Sequence, residues 1–168
     1  PEVWSIGERL KPLAPRVSVV IEKRQVRIRA WRYDTVGVTG ATVPVIYLDT
    51  DMADNDKQDR QLTQYLYGGD SRYRLCQEYV LGVGGVRMLR ALGYTALNRF
   101  HMNEGHAAFL VVELLDEERG TAPSGKVKPQ HIEAVRSKCV FTTHTPVPAG
   151  HDKFSMDMVR KTLGKHPA

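Results

Sequence analysis

Two short apolar segments, each followed directly by polar residues, constrain this fold more than any other feature. Residues 97–102 predict a buried strand, which leads into Asn-Glu-Gly-His at 103–106 and then into an apolar helix over 107–115. Residues 139–143 predict a second strand, followed by His-Thr at 144–145. In an open α/β sheet, ligands bind where strands end and helices begin. Parallel strands would bring both polar tips to one crevice, so the sequence predicts an α/β fold with a site there.

Composition allows one ordinary globular domain. The chain has 168 residues, of which 42% are hydrophobic and 26% charged. A chain of this length and composition can bury a hydrophobic core without disulfide bonds or metal ions. The net charge is +5, and many basic residues between Arg16 and Arg32 alternate with apolar positions. This alternation predicts a solvated sheet face. No basic helix, zinc pattern or aromatic platform accompanies it, so we expect no nucleic-acid partner, although an anionic metabolite such as phosphate is a smaller possibility.

The two cysteines and the apolar runs bear on location. Cys76 and Cys139 lie within apolar patterns, which predicts two buried, reduced thiols and fits a cytoplasmic protein. No apolar run approaches the length needed to span a bilayer, so no membrane partner is expected. The chain opens on Pro1 without a methionine, and we expect it to be a piece of a longer protein.

The hydrophobic patterns along the sequence predict a single partial domain, residues 1–168, that consists of three parts. Residues 1–15 predict a connector, residues 16–48 an antiparallel β segment with a tight turn at Lys23-Arg24, and residues 49–168 an α/β portion. Pro44 favours an edge position for the third strand of the β segment. The acidic loop over 49–59 lacks the glycine and closing glutamate of a calcium loop, which favours caps and turns.

The longest predicted helix runs from 71 to 92, with Asp70 or Ser71 as N-cap and Gly93 just beyond its end. Its predicted core stripe consists of Leu75, Tyr79, Val83, Val86 and Leu89. Glycines at 82, 84 and 85 each cost a helix about 1 kcal/mol relative to alanine. We therefore expect a neighbouring backbone to approach closely there. Further helices are predicted over 131–138 and 154–163, and the alternation of helix and strand argues for a parallel sheet covered on both faces.

The chemistry of the polar tips has more than one interpretation. Glu104 and His106 flank Gly105, and a carboxylate beside an imidazole could orient a substrate hydroxyl or transfer a proton. Spacing alone slightly favours a structural alternative, in which Asn103 caps the following helix and Glu104 lies in its first turn. His144 could likewise be a satisfied interior histidine.

A metal site and a covalent hydrolase are weaker alternatives. The histidines at 101, 106, 144 and 151, with Glu104, match no one-helix zinc motif, so no metal site is predicted. His101 is expected in the core. No Gly-x-Ser-x-Gly or other nucleophile signature is present.

Seven ordered motifs resemble the α-glucan (glycogen, starch and maltodextrin) phosphorylases, most closely the shorter bacterial and archaeal type. The similarity runs from about residue 43 to the C-terminal region. The motifs lie at residues 48–51, 60–63, 66–70, 74–78, 81–85, 101–109 and 141–154, and Asn55 between the first two also matches.

That resemblance implies a fold and an activity. The chain would be part of the N-terminal Rossmann-like domain of a glycosyltransferase of the GT-B type. The enzyme would phosphorolyse terminal α-1,4-glucosyl residues to glucose 1-phosphate, using pyridoxal phosphate bound by a lysine outside this chain. The implied catalytic residues are His144, Glu104 and His106. The implied substrate-binding residues are Asn103, Thr145, Gly69 and Asp70, the last two in a gate loop.

The resemblance also implies which parts of the enzyme this chain lacks and which partners it binds. The family's glycine-rich loop against the cofactor phosphate is not in the sequence, and no lysine here is assigned to the cofactor. We therefore expect the chain alone to be inactive, because the chemistry needs both walls of a closed cleft. Expected partners are α-1,4-glucan, inorganic phosphate and the C-terminal half of the same enzyme, within a homo-oligomer. The alternatives are a non-catalytic glucan-binding module or, less favoured, a metal-dependent hydrolase.

Overall fold

Three antiparallel strands form the first sheet of the structure, a computed structural model that describes residues 5–66, 68–120, 126–148 and 151–164. The strands pair in the order β1-β2-β3, and a short helix precedes them: α1 (Ile6–Arg9), β1 (Lys11–Ile21), β2 (Arg24–Val36) and β3 (Thr42–Asp49). The predicted antiparallel segment and the edge position of Pro44 are confirmed. However, β1 starts at Lys11, inside the predicted connector. Both of its prolines are tolerated because β1 is an edge strand, and its register shifts between Pro12 and Arg16.

The hairpin between β1 and β2 turns one residue earlier than predicted. Glu22 and Lys23, rather than Lys23 and Arg24, occupy the turn, with φ values of 49° and 67°. Two successive positive φ angles are the signature of the type I′ turn that matches strand twist. The Glu22 carboxylate accepts hydrogen bonds from Arg72 at 2.6 and 2.7 Å and from Arg24 at 3.0 Å. The Arg72 hydrogen bond is the chief reason that the pKa of Glu22 is lowered to about 2, against the opposing effect of burial.

We expect Glu22→Gln to change how stability depends on pH. A carboxyl whose pKa falls from 4.5 to about 2 on folding stabilises the fold above pH 4.5, and this contribution is lost as the pH falls towards 2. The variant should therefore be less stable than the parent at neutral pH, and the gap should close between pH 4.5 and 2. Urea denaturation across this range measures it, with the exposed Glu8→Gln as control. Parallel stability curves would contradict the expectation.

Basic residues of β2 form ion pairs with the acidic loop, and Arg27 among them stays exposed to solvent. Arg24, Arg27 and Arg29 form ion pairs with Asp59, Asp54 and Asp49 respectively. The predicted solvated basic face is therefore largely neutralised by the segment that follows β3. The same pairs occupy the carboxylates that suggested a calcium loop.

The predicted long helix is present but is not one uniform α-helix. It consists of α3 (Ser71–Tyr79), a π-helical turn (Val80–Gly84) and α4 (Gly85–Ala91). Before it, the short α2 (Lys57–Arg60) begins within the predicted acidic loop and ends one residue beyond it. Asp70 caps α3 by accepting from the Tyr73 amide at 2.8 Å, and Gly93 follows α4 with φ 90°. A π turn rotates the residues beyond it relative to an ideal helix. Met88 is accordingly buried, whereas Leu89, predicted for the core stripe, is only half-buried.

The second sheet contains two parallel strands with helices around them, which confirms the predicted α/β class for the described residues. Its elements are β4 (Phe100–Asn103), a 3₁₀ turn (Gly105–Ala107), α5 (Leu110–Arg119), α6 (Pro129–Lys138), β5 (Cys139–Thr142) and α7 (Met156–Leu163). Strand β4 is shorter than predicted, and α5 begins three residues late. His101 is exposed and lies 2.6 Å from the Thr142 hydroxyl, so its predicted core position is wrong. Its β4 neighbours Phe100 and Met102 take the buried face instead.

The helical run α3–α4 lies between two hydrophobic clusters. Tyr79, Val80 and Val83 pack with the first sheet, whereas Val86 packs with β4, α5 and α6. Cys76 is buried, and burial raises its thiol pKa to about 11, while Cys139 is half-buried. Among the described residues, none of the helices combines the length and apolarity that crossing a bilayer requires.

Candidate functional site

Glu104 is the residue at which the chain leaves the second sheet. Its amide donates to the Thr142 carbonyl at 2.8 Å, extending the parallel pairing one step past β4. Its φ of 57° and ψ of −162° form a backbone conformation that residues with a side chain rarely adopt. This conformation turns the Glu104 side chain across to the end of β5, where only 3% of the residue is exposed.

The Glu104 carboxylate holds the polar tip that follows β5. Its Oε1 atom accepts the amides of His144 at 2.6 Å and Thr145 at 2.7 Å, and Oε2 accepts the Thr143 hydroxyl at 3.2 Å. The His144 amide is the largest cause of a Glu104 pKa lowered to about 2, and the Thr145 amide adds to it while burial opposes it. Glu104 is therefore an anion at neutral pH whose oxygens are engaged by the neighbouring strand end.

Exposed polar groups surround this buried anion. His144 Nε2 lies 2.6 Å from Asn103 Oδ1, and His144 Nδ1 lies 3.3 Å from the Glu104 carboxylate. His151 adds a second imidazole, with Nδ1 3.7 Å from Glu104 and Nε2 3.1 Å from the Thr145 carbonyl. We call this group the tip cluster. Its members are Asn103, Glu104, Thr143, His144, Thr145 and His151.

The tip cluster contradicts the structural interpretation of the sequence, in which Asn103 and Glu104 begin a helix. Asn103 contacts His144 and caps no helix, and the N-cap of α5 is Phe109, which has no side-chain cap bond. Glu104 precedes the 3₁₀ turn and lies outside the first turn of α5. The capping interpretation is therefore wrong. The two strand tips meet as the parallel-strand argument predicted.

His106 lies in a different environment from Glu104. Its Nδ1 atom is 3.9 Å from Glu78 Oε1, and its side chain lines a cavity of about 320 Å³ together with Arg74 and Gln77. The rest of that lining is mostly apolar, from β3, the 62–66 segment and the start of the π turn. Gly105 thus separates two polar neighbourhoods, one around Glu104 and one around His106.

Glu78 and Asp152 form a carboxyl pair beside His106. Burial, followed by the adjacent Asp152, raises the pKa of Glu78 to about 8. Burial also disfavours the charged form of Asp152, but hydrogen bonds from Arg74 and Glu78 outweigh it, so its pKa is lowered. At neutral pH the pair consequently holds a proton, and Arg74 forms an ion pair with Asp152.

Sequence reasoning missed Glu78 and Asp152. A signal for Glu78 was available, because it lies three residues after Leu75 and four before Gly82, on the buried face of the helix. No comparable pattern marks Asp152.

Known proteins of similar sequence indicate which kind of enzyme this chain resembles. No protein-family model matches the chain. The chain is 46% identical over 125 residues to a glycogen phosphorylase of Mycobacterium tuberculosis, covering 71% of this chain and 14% of that protein. It is 40% identical over 158 residues to a maltodextrin phosphorylase of Thermococcus litoralis, covering 94% of this chain and 18% of that protein. The chain resembles a fragment of an α-glucan phosphorylase.

The match is to a part of the family's proteins. The chain spans 14% to 18% of the length of these two relatives. It is also 32% identical over 155 residues to MJ1631, an uncharacterised protein of Methanocaldococcus jannaschii. The phosphorylase matches agree with the family resemblance drawn from the motifs, and they reach well beyond the tip cluster into the first sheet, since one alignment covers 94% of the chain.

The segment that resembles the phosphorylase gate loop has local contacts. Gly69 has φ 75°, and a Cβ there would lie 2.6 Å from the Tyr73 ring, so only glycine fits without rearrangement. Asp70 is occupied as the N-cap of α3. Tyr67 lies outside the described residues.

Proposed function

We propose that this chain forms one wall of the catalytic cleft of a full-length α-glucan phosphorylase. The enzyme would transfer the terminal α-1,4-linked glucosyl residue of glycogen, starch or maltodextrin to inorganic phosphate, giving glucose 1-phosphate. The observation that carries the proposal is the Glu104 carboxylate, which joins the ends of β4 and β5 and fixes their exposed polar groups in one place. Phosphorylase relatives at 40% and 46% identity supply the reaction class.

The proposal gives the tip residues different roles. Asn103, His144 and Thr145 offer amide, imidazole and hydroxyl groups, a set suited to sugar hydroxyls, and they are exposed or half-buried. Glu104 is buried and engaged by the neighbouring tip, so it is a positioning residue that acts through His144 and Thr145. His106 would contact substrate from the cavity side, and Gly69 and Asp70 would border the entrance.

Pyridoxal phosphate does not fit the residues of this chain. The cofactor is bound through a lysine, and in the described part of the chain no lysine lines the cavities of about 320 and 310 Å³, whereas Lys57 lines only an exposed surface depression beside Asp56. We therefore assign the cofactor and the phosphate site to the remainder of the protein and expect the chain alone to be inactive. We also propose that the full-length enzyme is a homo-oligomer in the cytoplasm.

We expect His144→Ala in the full-length protein to lower kcat/KM by at least about tenfold, roughly 1.4 kcal/mol of transition-state stabilisation. The imidazole is exposed at the tip cluster and held by Asn103, so its removal leaves a substrate contact unmade. Phosphorolysis of maltoheptaose, followed as glucose 1-phosphate, measures the loss.

The matched control is His131→Ala on α6, where the histidine accepts only a local hydrogen bond from the Lys128 amide. Unchanged kinetics for His144→Ala would remove His144 from the site. A full-length protein that binds maltoheptaose by calorimetry but forms no glucose 1-phosphate would instead support a non-catalytic glucan-binding module.

A further inference from the structure

Three ligating side chains from separate segments converge beside the 320 Å³ cavity. Glu78 lies on α3, His106 on the 3₁₀ turn after β4, and Asp152 in the segment before α7. One ligand atom from each lies within 4.8 Å of the other two. Because these residues are far apart in sequence, only the tertiary fold brings the three donors together.

One carboxyl oxygen of Glu78 is buried within this group without a hydrogen-bond partner. Its side chain is 9% exposed, and its Oε1 atom has no hydrogen-bond partner. A buried carboxylate oxygen normally has a partner, because burial removes the water that would otherwise bind it. The oxygen is directed into the group, 3.9 Å from His106 Nδ1, so a ligand bound between these three side chains would supply the missing partner.

We propose that Glu78, His106 and Asp152 bind one divalent transition-metal ion of the zinc type. Two carboxylates and an imidazole are typical ligands for such an ion, at about 2.0–2.2 Å from the metal. The 3.9 Å separation between Glu78 Oε1 and His106 Nδ1 is already close to what two ligands of one ion span. The site shares His106 with the substrate contact assigned above, but binding of zinc to these three side chains does not depend on the proposed function.

The surroundings of the group favour zinc over magnesium or calcium. Mg²⁺ and Ca²⁺ prefer six or more oxygen ligands, whereas this group offers an imidazole and few oxygens. The ion could enter from the cavity, because His106 is partly exposed there. Arg74 forms an ion pair with Asp152 Oδ2, and its charge should moderate the affinity, but a carboxylate can bind a second cation through its other oxygen.

Titration of the 168-residue chain with ZnCl₂ by isothermal calorimetry tests the proposal. We expect binding of one equivalent, no comparable binding of MgCl₂, and affinity reduced at least about tenfold in Glu78→Gln and in Asp152→Asn. Glu133→Gln, an exposed carboxylate paired with Arg136 on α6, is the matched control and should bind like the parent. The parent and all variants carry Cys139→Ser, since a half-buried thiol could bind zinc by itself.

The histidine gives a second readout that a change in overall stability would not produce. Zinc should shift the ¹⁵N resonance of His106 Nδ1 more than those of the other histidines. If Glu78→Gln fails to fold by circular dichroism, Asp152→Asn, which lies on an exposed segment, still tests the site. Absence of one-to-one binding, or binding equal in parent and variants, would overturn the proposal and leave a shared proton as the link between the two carboxyl groups.

Discussion

Glu104→Gln in the full-length protein should reduce kcat/KM by at least about 100-fold, the scale reached when a group near the chemistry is misplaced by about 1 Å. Glutamine has almost the same shape but only one acceptor oxygen. Its one oxygen could still accept the His144 and Thr145 amides, but without the negative charge these two hydrogen bonds weaken, and its amide nitrogen would replace the oxygen that accepts the Thr143 hydroxyl. We expect the β5 tip to move and His144 to lose its position.

The pH profile separates positioning from proton transfer. Since the Glu104 pKa is about 2, this carboxylate stays ionised across the working range and contributes no limb to the pH dependence of the rate. The variant should therefore keep the parent's profile at a lower rate. Glu117→Gln, which removes a carboxylate of α5 that pairs with Arg90 of α4, is the control and should change little. Loss of a pH limb in Glu104→Gln, or parent-like kinetics, would contradict the assigned role.

The sequence predicted the meeting of the two tips because that prediction rests on a general property of parallel sheets. Strand β4 pairs with β5 from Phe100 to Asn103, and the tips follow at once. The sequence alone could not predict the orientation of the Glu104 side chain. That depends on a positive φ at a non-glycine residue, which propensity disfavours and which the hydrogen bonds from residues 143–145 compensate.

The neighbourhood of His106 was beyond sequence reasoning for a different reason. His106 is two residues from Glu104, so proximity in sequence placed both in one pocket. The 3₁₀ turn after Glu104 instead directs His106 towards Glu78 on α3. The π turn was likewise unpredicted, since Gly82, Gly84 and Gly85 signal close packing without specifying the hydrogen-bond pattern. Long-range packing, rather than local pattern, determines both features.

Gly82→Ala should destabilise the chain by about 3 kcal/mol, the upper range for overpacking a tight contact. Helix propensity alone predicts the opposite sign, a gain of about 1 kcal/mol. Packing outweighs it because the added Cβ would lie 2.6 Å from the Leu110 nitrogen and 2.8 Å from the Phe109 carbonyl carbon. Both are backbone atoms at the start of α5 and cannot rotate away. Urea denaturation of the purified variant measures the change.

Gly85→Ala is the matched control, because this glycine lies in the same helical run and its nearest neighbour would be a Leu48 methyl carbon at 3.9 Å. Here propensity should act unopposed, and we expect a gain of up to about 1 kcal/mol. The opposite signs would show that the π turn is held against α5 at Gly82 specifically. Because α5 follows Glu104 and the 3₁₀ turn that carries His106, this contact also fixes where that turn lies. Equal stability of the two variants would mean that α5 shifts freely, and the tip cluster would then need another anchor.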